Sequence, residues 1–395
     1  MSKKNLAALG TLCLSFLLMT VLIQSLLGYP ALAPTPYNSY TLQAMAWRKG
    51  QTHLDTDVPH LELAIYKERY FVSFPPVPSV PIYLLSFLFG AEVPDGLLVK
   101  LYAFLSLLIL FFLLRGHGAS PFKAAFWAFT LCFSSSMLPL IWTGAVWYQA
   151  QVLAFLLISL ALDRMDRDRP LTGLVCYALA VGCRPFHALF GPLLIFLYVQ
   201  RKREAGIGMK AIALKLLPGL SSGLLIAIFY AAYNYIRFDN PFEFGHSHLP
   251  EFSFQGGVQF SLRHVVSNLR QYVITLPFEI GADGLRLRQF GFSLFLANPV
   301  LLLLLFWAVS DAIRRRFRLQ HGLLLLFFAL HLFFLLMHRT FGGFQYGARY
   351  AVDLIPYAVL YLTLSPEKKP GSTEAVVMLL GLGMSIFGSL MIRII

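Results

Sequence analysis

The sequence predicts an all-α polytopic membrane protein with about eleven transmembrane helices, and three observations carry that prediction. The 395 residues are 57% hydrophobic and only 13% charged, whereas soluble domains are about a quarter charged. The mean hydropathy is +0.67. Apolar runs of spanning length recur along the chain and are separated by short loops with clusters of Lys and Arg.

The formal net charge of +13 follows from those basic loops. Cytoplasmic loops of membrane proteins carry an excess of Lys and Arg, so the charge has an explanation without a nucleic acid partner. We therefore expect membrane lipids around the chain and no nucleic acid bound to it.

The first apolar run follows the basic sequence MSKKN and ends near Leu27. Its length of about 20 residues favours an uncleaved helix with a cytoplasmic N-terminus over a signal peptide, whose cleavage site would lie at 31–33. Ten further spans are predicted at 97–114, 121–140, 146–162, 171–183, 187–199, 213–235, 292–309, 322–337, 351–364 and 375–392.

The basic clusters are expected on the cytoplasmic side of the membrane. That placement requires that 75–89 does not cross and that 171–199 forms two short spans. A break at Arg184-Pro185 is expected, because proline removes a helical hydrogen bond. The clusters are Arg115 with Lys123, Arg164 with Arg167 and Arg169, Arg201 to Arg203, Arg314 to Arg316 with Arg318, and Lys368 with Lys369.

Three loops are then expected on the extracytoplasmic side, at 28–90, 236–291 and 338–350. Short helices lying on the membrane surface are predicted in the first loop, around 40–47 and 78–89. The chain shows no internal repeat, and we expect a single membrane-embedded domain over 1–395. Polar residues crowd into the three loops, so a site that opens outward is expected there.

The first loop holds the acids Asp55, Asp57 and Glu62, with His53 and His60 beside the first two. Such side chains could bind a divalent metal, but their spacing matches no ligand motif, and a solvated polar loop is the alternative. Tyr66 and Tyr70 could line a sugar, or they could lie at the headgroup level as interfacial aromatics do.

Arginines outside the cytoplasmic loops are candidates for a lipid-linked phosphate, because the planar guanidinium matches phosphate oxygens. Arg349 follows a glycine-rich stretch in the third loop, Arg184 lies at the broken span, and Arg237 lies at a helix end. Salt bridges are the alternative: Arg349 is four residues from Asp353, and Arg237 is two residues from Asp239.

Four segments, in order, resemble the C-type (GT-C) membrane glycosyltransferase superfamily. The bacterial group similar to dolichyl-phosphate-mannose protein mannosyltransferases and aminoarabinose transferases is the nearest likeness. The segments are YNSYTLQAMAWRKGQ, ELAIYKERYFVSFPPVPSVPIYLLSFLFG, YNYIRFDNPFEFG and FGGFQYGARYAVDLIPY.

The resemblance implies a GT-C-like fold in a bacterial inner membrane and a sugar donor carried on a polyprenyl phosphate. The sugar would pass to a lipid, glycan or protein acceptor outside the cytoplasm. No cofactor is certain, and a divalent metal stays open. The resemblance places residues against the substrates at Asn38, Tyr40, Tyr66, Tyr70, Gln345 and Tyr346.

The sequence departs from that family at one position. An acid soon after the first span acts there as the base or orients the acceptor hydroxyl, but residues 36–40 read PYNSY. The role is expected to move to Glu62, then Asp57 or Asp55, with the donor phosphate on Arg349, Arg184 or Arg237. The alternatives are a transporter or lipid flippase, and a non-catalytic relative.

Overall fold

Apolar runs of the sequence form helices throughout the computed structural model, which describes residues 2–28, 32–253, 258–281, 284–366, 368 and 370–391. Short turns of 3-10 helix occur at Pro59–Leu61, Pro185–Leu189, His246–His248, Leu262–His264 and Arg349–Leu354. The α-helices are α1 Lys3–Leu27, α2 Ser39–Arg48, α3 Ser79–Phe89, α4 Asp95–Gly116, α5 Pro121–Phe133, α6 Met137–Thr143, α7 Val146–Asp166, α8 Pro170–Val181, α9 Phe190–Glu204, α10 Met209–Phe238, α11 Pro250–Ser253, α12 Val265–Val273, α13 Leu294–Ala297, α14 Pro299–Ile313, α15 Leu319–Met337, α16 Ile355–Leu364 and α17 Ser372–Met391.

Two antiparallel hairpins interrupt the helices, one in each large loop. Strands β1 Leu63–Tyr66 and β2 Arg69–Val72 pair with Leu63 opposite Val72. Strands β3 Phe278–Gly281 and β4 Gly284–Leu287 pair in the second large loop. The sequence prediction of an all-α chain therefore missed these two short sheets.

Within the described residues, six helices are long and apolar enough to cross a membrane, and the pair α5–α6, bent by 65°, makes a seventh if it counts as one span. The chain is thus a multi-pass membrane protein, but the predicted count of eleven is not confirmed. Helices α8, α9, α14 and α16 occupy predicted spans, yet they have only 12, 15, 15 and 10 residues. At 1.5 Å per residue they cover roughly 15 to 22 Å of a hydrocarbon layer about 30 Å thick.

The predicted basic clusters gather at one end of the bundle, which we call the basic end. Residues near the ends of α4, α7 and α9 and the start of α15 line one cavity there. Lys369 lies outside the described residues. Contacts at this end join Arg115 to Asn5, Arg201 to Asp166, Lys202 to Asp168, Lys215 to Asp168, and Lys368 to Asp311.

The predicted break at Arg184-Pro185 is present, because α8 ends at Val181 and α9 begins at Phe190 after a 3-10 turn. Helix α8 starts at the basic end, and α9 returns to it through Lys202. The two helices are therefore antiparallel, and the break lies at the opposite end, which we call the loop end. Helix α10 also runs from the basic end to the loop end.

The first loop is folded onto the loop end rather than hanging free. Helices α2 and α3 match the two predicted surface helices and pack on each other. The hydroxyl of Tyr233 on α10 accepts hydrogen bonds from Gln43 and from the indole of Trp47, both at 3.0 Å. Ser79 at the start of α3 donates to Gln43 at 2.6 Å. These contacts fix both helices against α10.

Candidate functional site

A cavity of about 430 Å³ lies at the loop end, where the first loop, the α8–α9 break and the second and third loops meet. The predicted convergence of the three loops is therefore present. Its wall includes Tyr40, Phe74, Trp147, Arg184, Glu243, His246, His338, Arg349 and Tyr350.

Arg349 presents a buried cation to this cavity without a matching anion. Its guanidinium lies 5.5 Å from the ring centre of Trp147, 5.4 Å from Tyr148 and 5.1 Å from Tyr350. No carboxylate of the described residues forms an ion pair with it, and its Nε has no hydrogen-bond partner there. A buried charge without a partner is costly, so the site is suited to an anionic group.

The alternative salt bridge between Arg349 and Asp353 does not form. Residues 349–354 make a 3-10 helix rather than an α-helix. With three residues per turn, positions i and i+3 share a face, and i and i+4 do not. Asp353 instead accepts two hydrogen bonds from Arg184, from Nε at 3.0 Å and from Nη2 at 2.8 Å. Arg184 therefore carries a compensated charge, while Arg349 does not.

The backbone of the third loop holds Arg349 in this position. Gln345 accepts a hydrogen bond from the Arg349 N–H at 3.2 Å, and Gln151 donates to the Arg349 carbonyl at 2.9 Å. Gly347 has a φ of 58°, and a Cβ there would lie 2.2 Å from the Cβ of Ala297. Only glycine fits at that distance, so Gly347 is needed to hold the third loop, and with it Arg349, in this position.

Glu62 reaches the cavity wall through Trp147, whose indole N–H donates to Glu62 Oε2 at 3.1 Å. The same indole ring lies under the guanidinium of Arg349. Protein atoms that crowd the carboxyl raise the pKa of Glu62, and the carboxylate of Glu251 raises it further. Arg349 and the indole hydrogen bond act in the opposite direction. Glu62 and Arg349 thus share one electrostatic environment.

Asp55 and Asp57 lie on the exposed surface and do not line the cavity. Asp55 pairs with Lys49 at 2.8 Å, which lowers the pKa of its carboxyl. Asp57 has no ion pair within the described residues. Across all the residues that the structure describes, no group of three or more His, Cys, Asp or Glu side chains could hold a metal ion.

The structure does not bring Arg237 to the cavity. Its guanidinium donates to the Val72 carbonyl and to the side-chain oxygen of Asn234, both at 2.9 Å. It also lies 4.3 Å from the ring centre of Tyr233. The alternative pairing with Asp239 is absent as well. Arg237 therefore ties the end of β2 to α10.

Of the six predicted substrate-lining residues, Tyr40 lies on the cavity wall. Gln345 is buried and holds Arg349 from the protein side. The other four lie away from the wall: Asn38 precedes α2, Tyr66 donates to Asp239 at 2.8 Å, Tyr70 pairs with Ile65 in the first hairpin, and Tyr346 packs on Phe292 at 5.1 Å.

No family model and no curated protein matches this sequence. Solved structures do match over almost the whole chain. The apo oligosaccharyltransferase of Archaeoglobus fulgidus has a TM-score of 0.53 at 14% identity, over 98% of this chain and 55% of that one. ArnT of Cupriavidus metallidurans has a TM-score of 0.51 in the apo state, at 15% identity, and 0.50 with undecaprenyl phosphate bound, at 14% identity. Both ArnT matches cover 95% of this chain and 63% of that one.

The chain has the GT-C glycosyltransferase fold. This confirms the likeness expected from the four sequence segments. The chain spans a little over half to just under two thirds of the length of these structures. At such low identity the likeness concerns the fold, so the chemistry depends on the residues present in the cavity.

Sequence reasoning missed several residues that the GT-C fold places on the cavity wall. Trp147 lies in the polar start of a predicted span, VWYQAQ, and that polarity is the one signal that could have marked it. His246 and Glu243 are in the second loop, where they were two of many polar residues. His246 Nδ1 lies 3.0 Å from the Ser73 carbonyl oxygen, a contact across 173 residues that no local pattern reveals.

Proposed function

We propose that the chain is a membrane glycosyltransferase that moves a sugar from a polyprenyl-phosphate donor to an acceptor at the loop end. The observation that carries this proposal is the buried guanidinium of Arg349, which has no carboxylate partner in the described part of the chain and borders a cavity in a GT-C fold. One solved structure of that fold holds undecaprenyl phosphate, which supports a lipid phosphate as the missing anion.

In this proposal Arg349 binds the donor phosphate. When the bond between the sugar and the phosphate breaks, negative charge develops on the departing phosphate oxygen. A cation held in place beforehand, away from bulk water, stabilises that charge without reorganisation. Arg184 supports the site from behind, because Tyr350 lies 5.1 Å from both guanidinium groups.

Glu62 is the acceptor-side carboxylate of the proposal, where it takes the acceptor proton or orients the acceptor hydroxyl. Its hydrogen bond to Trp147 places it beside the arginine without forming an ion pair with it. Asp57 and Asp55 are weaker candidates for that role, because within the described residues neither has a hydrogen bond to a side chain that lines the cavity. Arg237 is a weaker candidate for the phosphate, because it does not line the cavity and its guanidinium already binds Val72 and Asn234.

The proposed location is a bacterial inner membrane, with the basic end and the N-terminus on the cytoplasmic side. The cavity at the loop end then faces outward, and the acceptor is a lipid, a glycan or a protein that reaches the outer leaflet. Membrane lipids surround the apolar faces of the spans.

Binding of undecaprenyl phosphate to the purified chain in detergent tests the donor site. We expect R349A to weaken binding by about tenfold or more, and R349K to recover only part of it, since lysine lacks the planar fork. R69A is the matched control, because Arg69 is exposed on β2 at the same end and lies outside the cavity. Equal affinity in the wild type and R349A would contradict the proposal.

A non-catalytic relative is the second candidate, favoured by the absence of a carboxylate in residues 36–40. A measurement of turnover distinguishes the two candidate functions. An enzyme releases undecaprenyl phosphate from one of its sugar esters, whereas a non-catalytic chain binds the lipid and releases nothing. The transporter alternative predicts movement of the intact lipid-linked sugar across proteoliposomes.

A further inference from the structure

His246 is built into the cavity wall by the second loop. The preceding Gly245 has a φ of 107°, and a Cβ there would come within 3.0 Å of the Ser73 Cα. Its N–H donates to Glu243 Oε1 at 2.6 Å. The imidazole ring packs edge-on against Phe74, with ring centres 6.0 Å apart. The loop thus approaches the first hairpin as closely as glycine allows.

One hydrogen bond determines which imidazole nitrogen is free. His246 Nδ1 lies 3.0 Å from the carbonyl oxygen of Ser73. A carbonyl only accepts, so Nδ1 carries the proton and Nε2 keeps its lone pair. No hydrogen bond to Nε2 occurs among the described residues, and His246 lines the cavity. The cavity wall therefore includes an imidazole whose basic nitrogen has no partner in the described part of the chain.

Ser73 connects this histidine to the acceptor-side carboxylate. Its hydroxyl donates to the Glu62 carbonyl at 3.0 Å, while its own carbonyl accepts from His246. Ser73 is fully buried directly after β2. The positions of Glu62 and His246 are consequently coupled through one rigid residue.

We infer that His246 Nε2 is the general base of the transfer and that Glu62 orients the acceptor. This inference rests on the proposed function. The acceptor oxygen forms a bond to the anomeric carbon of the sugar, and the bond from that carbon to the phosphate oxygen breaks. The bonding pair leaves on the polyprenyl phosphate beside Arg349. The acceptor proton passes to Nε2 and then to water at the cavity mouth, so the base is regenerated.

Burial keeps the imidazole of His246 in the basic form at neutral pH. Burial lowers the pKa of His246 below its ordinary value of about 6.5, and Arg184 adds to that effect. The Ser73 hydrogen bond and the carboxylate of Glu243 act in the opposite direction, and His338 also faces the ring. A base with a lowered pKa stays unprotonated to lower pH, so turnover should decline only below about pH 6.5.

H246N is the test variant, because the asparagine amide can still donate to the Ser73 carbonyl but cannot act as a base. The assay follows release of undecaprenyl phosphate from its esters with glucose, mannose, N-acetylglucosamine and arabinose, which reports transfer to any acceptor, including water. We expect H246N to bind undecaprenyl phosphate as the wild type does and to turn over about a hundredfold more slowly.

His248 provides the matched control. It lies two residues further on, stacks on Phe238 with ring centres 5.3 Å apart, and does not line the cavity. H248N should retain wild-type turnover. Among the active-site variants, H246N should lose the decline of turnover at acid pH, whereas E62Q should keep it.

Three results distinguish a failure of the inference about His246 from a failure of the proposed function. Loss of the acid decline in E62Q but not in H246N assigns the proton to Glu62 and overturns the inference, while the glycosyltransferase proposal stands. Turnover of H246N within twofold of the wild type has the same meaning. If the wild type neither binds undecaprenyl phosphate nor releases it from any ester, the proposed function itself fails.

A labelling experiment needs no donor sugar. Diethyl pyrocarbonate acylates accessible unprotonated imidazoles, and mass spectrometry identifies the modified residue. We expect His246 to react at pH 6 and to be protected by undecaprenyl phosphate. A His246 that stays unlabelled while other histidines react would overturn its assignment, even if the chain proves to be an active transferase.

Discussion

The two cavity arginines should respond to substitution in opposite ways, because only one of them is compensated. Arg184 forms its ion pair with Asp353, a carboxylate that is only 2% exposed. Replacing Arg184 with methionine leaves that buried carboxylate without its guanidinium partner and with the imidazole of His187 3.8 Å away. Breaking a buried pair from one side costs about 3–5 kcal/mol. We expect R184M to lower the stability of the ligand-free chain by that order.

Arg349→Met removes a cation that no carboxylate balances. The unpartnered Nε costs about 1–3 kcal/mol in the folded state. Desolvation of the buried charge adds several kcal/mol to that cost, and the three surrounding rings return about 2 kcal/mol each through desolvated cation–π contacts. These terms nearly cancel, so we expect R349M to change the stability of the ligand-free chain by less than about 1 kcal/mol.

Thermal unfolding in detergent, with and without undecaprenyl phosphate, measures both effects. A ligand present at a hundred times its dissociation constant stabilises the folded state by about 2.7 kcal/mol. The wild type should gain that stabilisation, and R349M should lose most of it. The reasoning is refuted if R349M destabilises the ligand-free chain as much as R184M does, or if undecaprenyl phosphate stabilises R349M fully.

Three further substitutions test the frame around the cavity. G347A should abolish stabilisation by undecaprenyl phosphate, because a Cβ there would lie 2.2 Å from Ala297, whereas G343A has open space and should behave as the wild type. W147F keeps a ring beside Arg349 but removes the donor to Glu62, so turnover should fall while the lipid affinity measured by titration stays within about threefold. Y233F leaves the donors of Gln43 and Trp47 without their acceptor and should cost about 1–3 kcal/mol, seen as faster proteolysis of the first loop. Tyr235→Phe on the same helix is the control, since its side chain is exposed.

Hydropathy predicted where helices form more reliably than how many cross the membrane. Each predicted span is largely helical, because a long apolar run in lipid has to satisfy its own backbone hydrogen bonds. The predicted spans 121–140 and 292–309, however, are each divided between two helices. Whether such a helix has full spanning length depends on its ends. Pro170 begins α8 and Gly182 follows its last residue, and Pro299 begins α14, so local start and stop signals keep these helices short.

The candidate site was predicted in part for a physical reason. Arginines at the membrane surface outside the cytoplasmic loops are rare, which singled out Arg349 and Arg184, whereas Glu62 was chosen among the acids of the first loop without any knowledge of its partners. Rarity could not separate these two arginines from Arg237, whose guanidinium binds the Val72 carbonyl 165 residues away. The role of His246 was equally hidden, because it depends on which imidazole nitrogen the Ser73 carbonyl accepts from.

Arg349 has no carboxylate partner among the described residues because the alternative salt bridge to Asp353 does not form. On an α-helix, Arg349 and Asp353 would share a face and neutralise each other. The 3-10 turn over Arg349–Leu354 separates the two side chains. The break between helices α8 and α9 places Arg184 next to the Asp353 carboxylate instead. Regular α-helix over that turn would bring Arg349 and Asp353 to one face, where they would pair. The irregular backbone therefore keeps Arg349 apart from Asp353, which the proposed phosphate role requires.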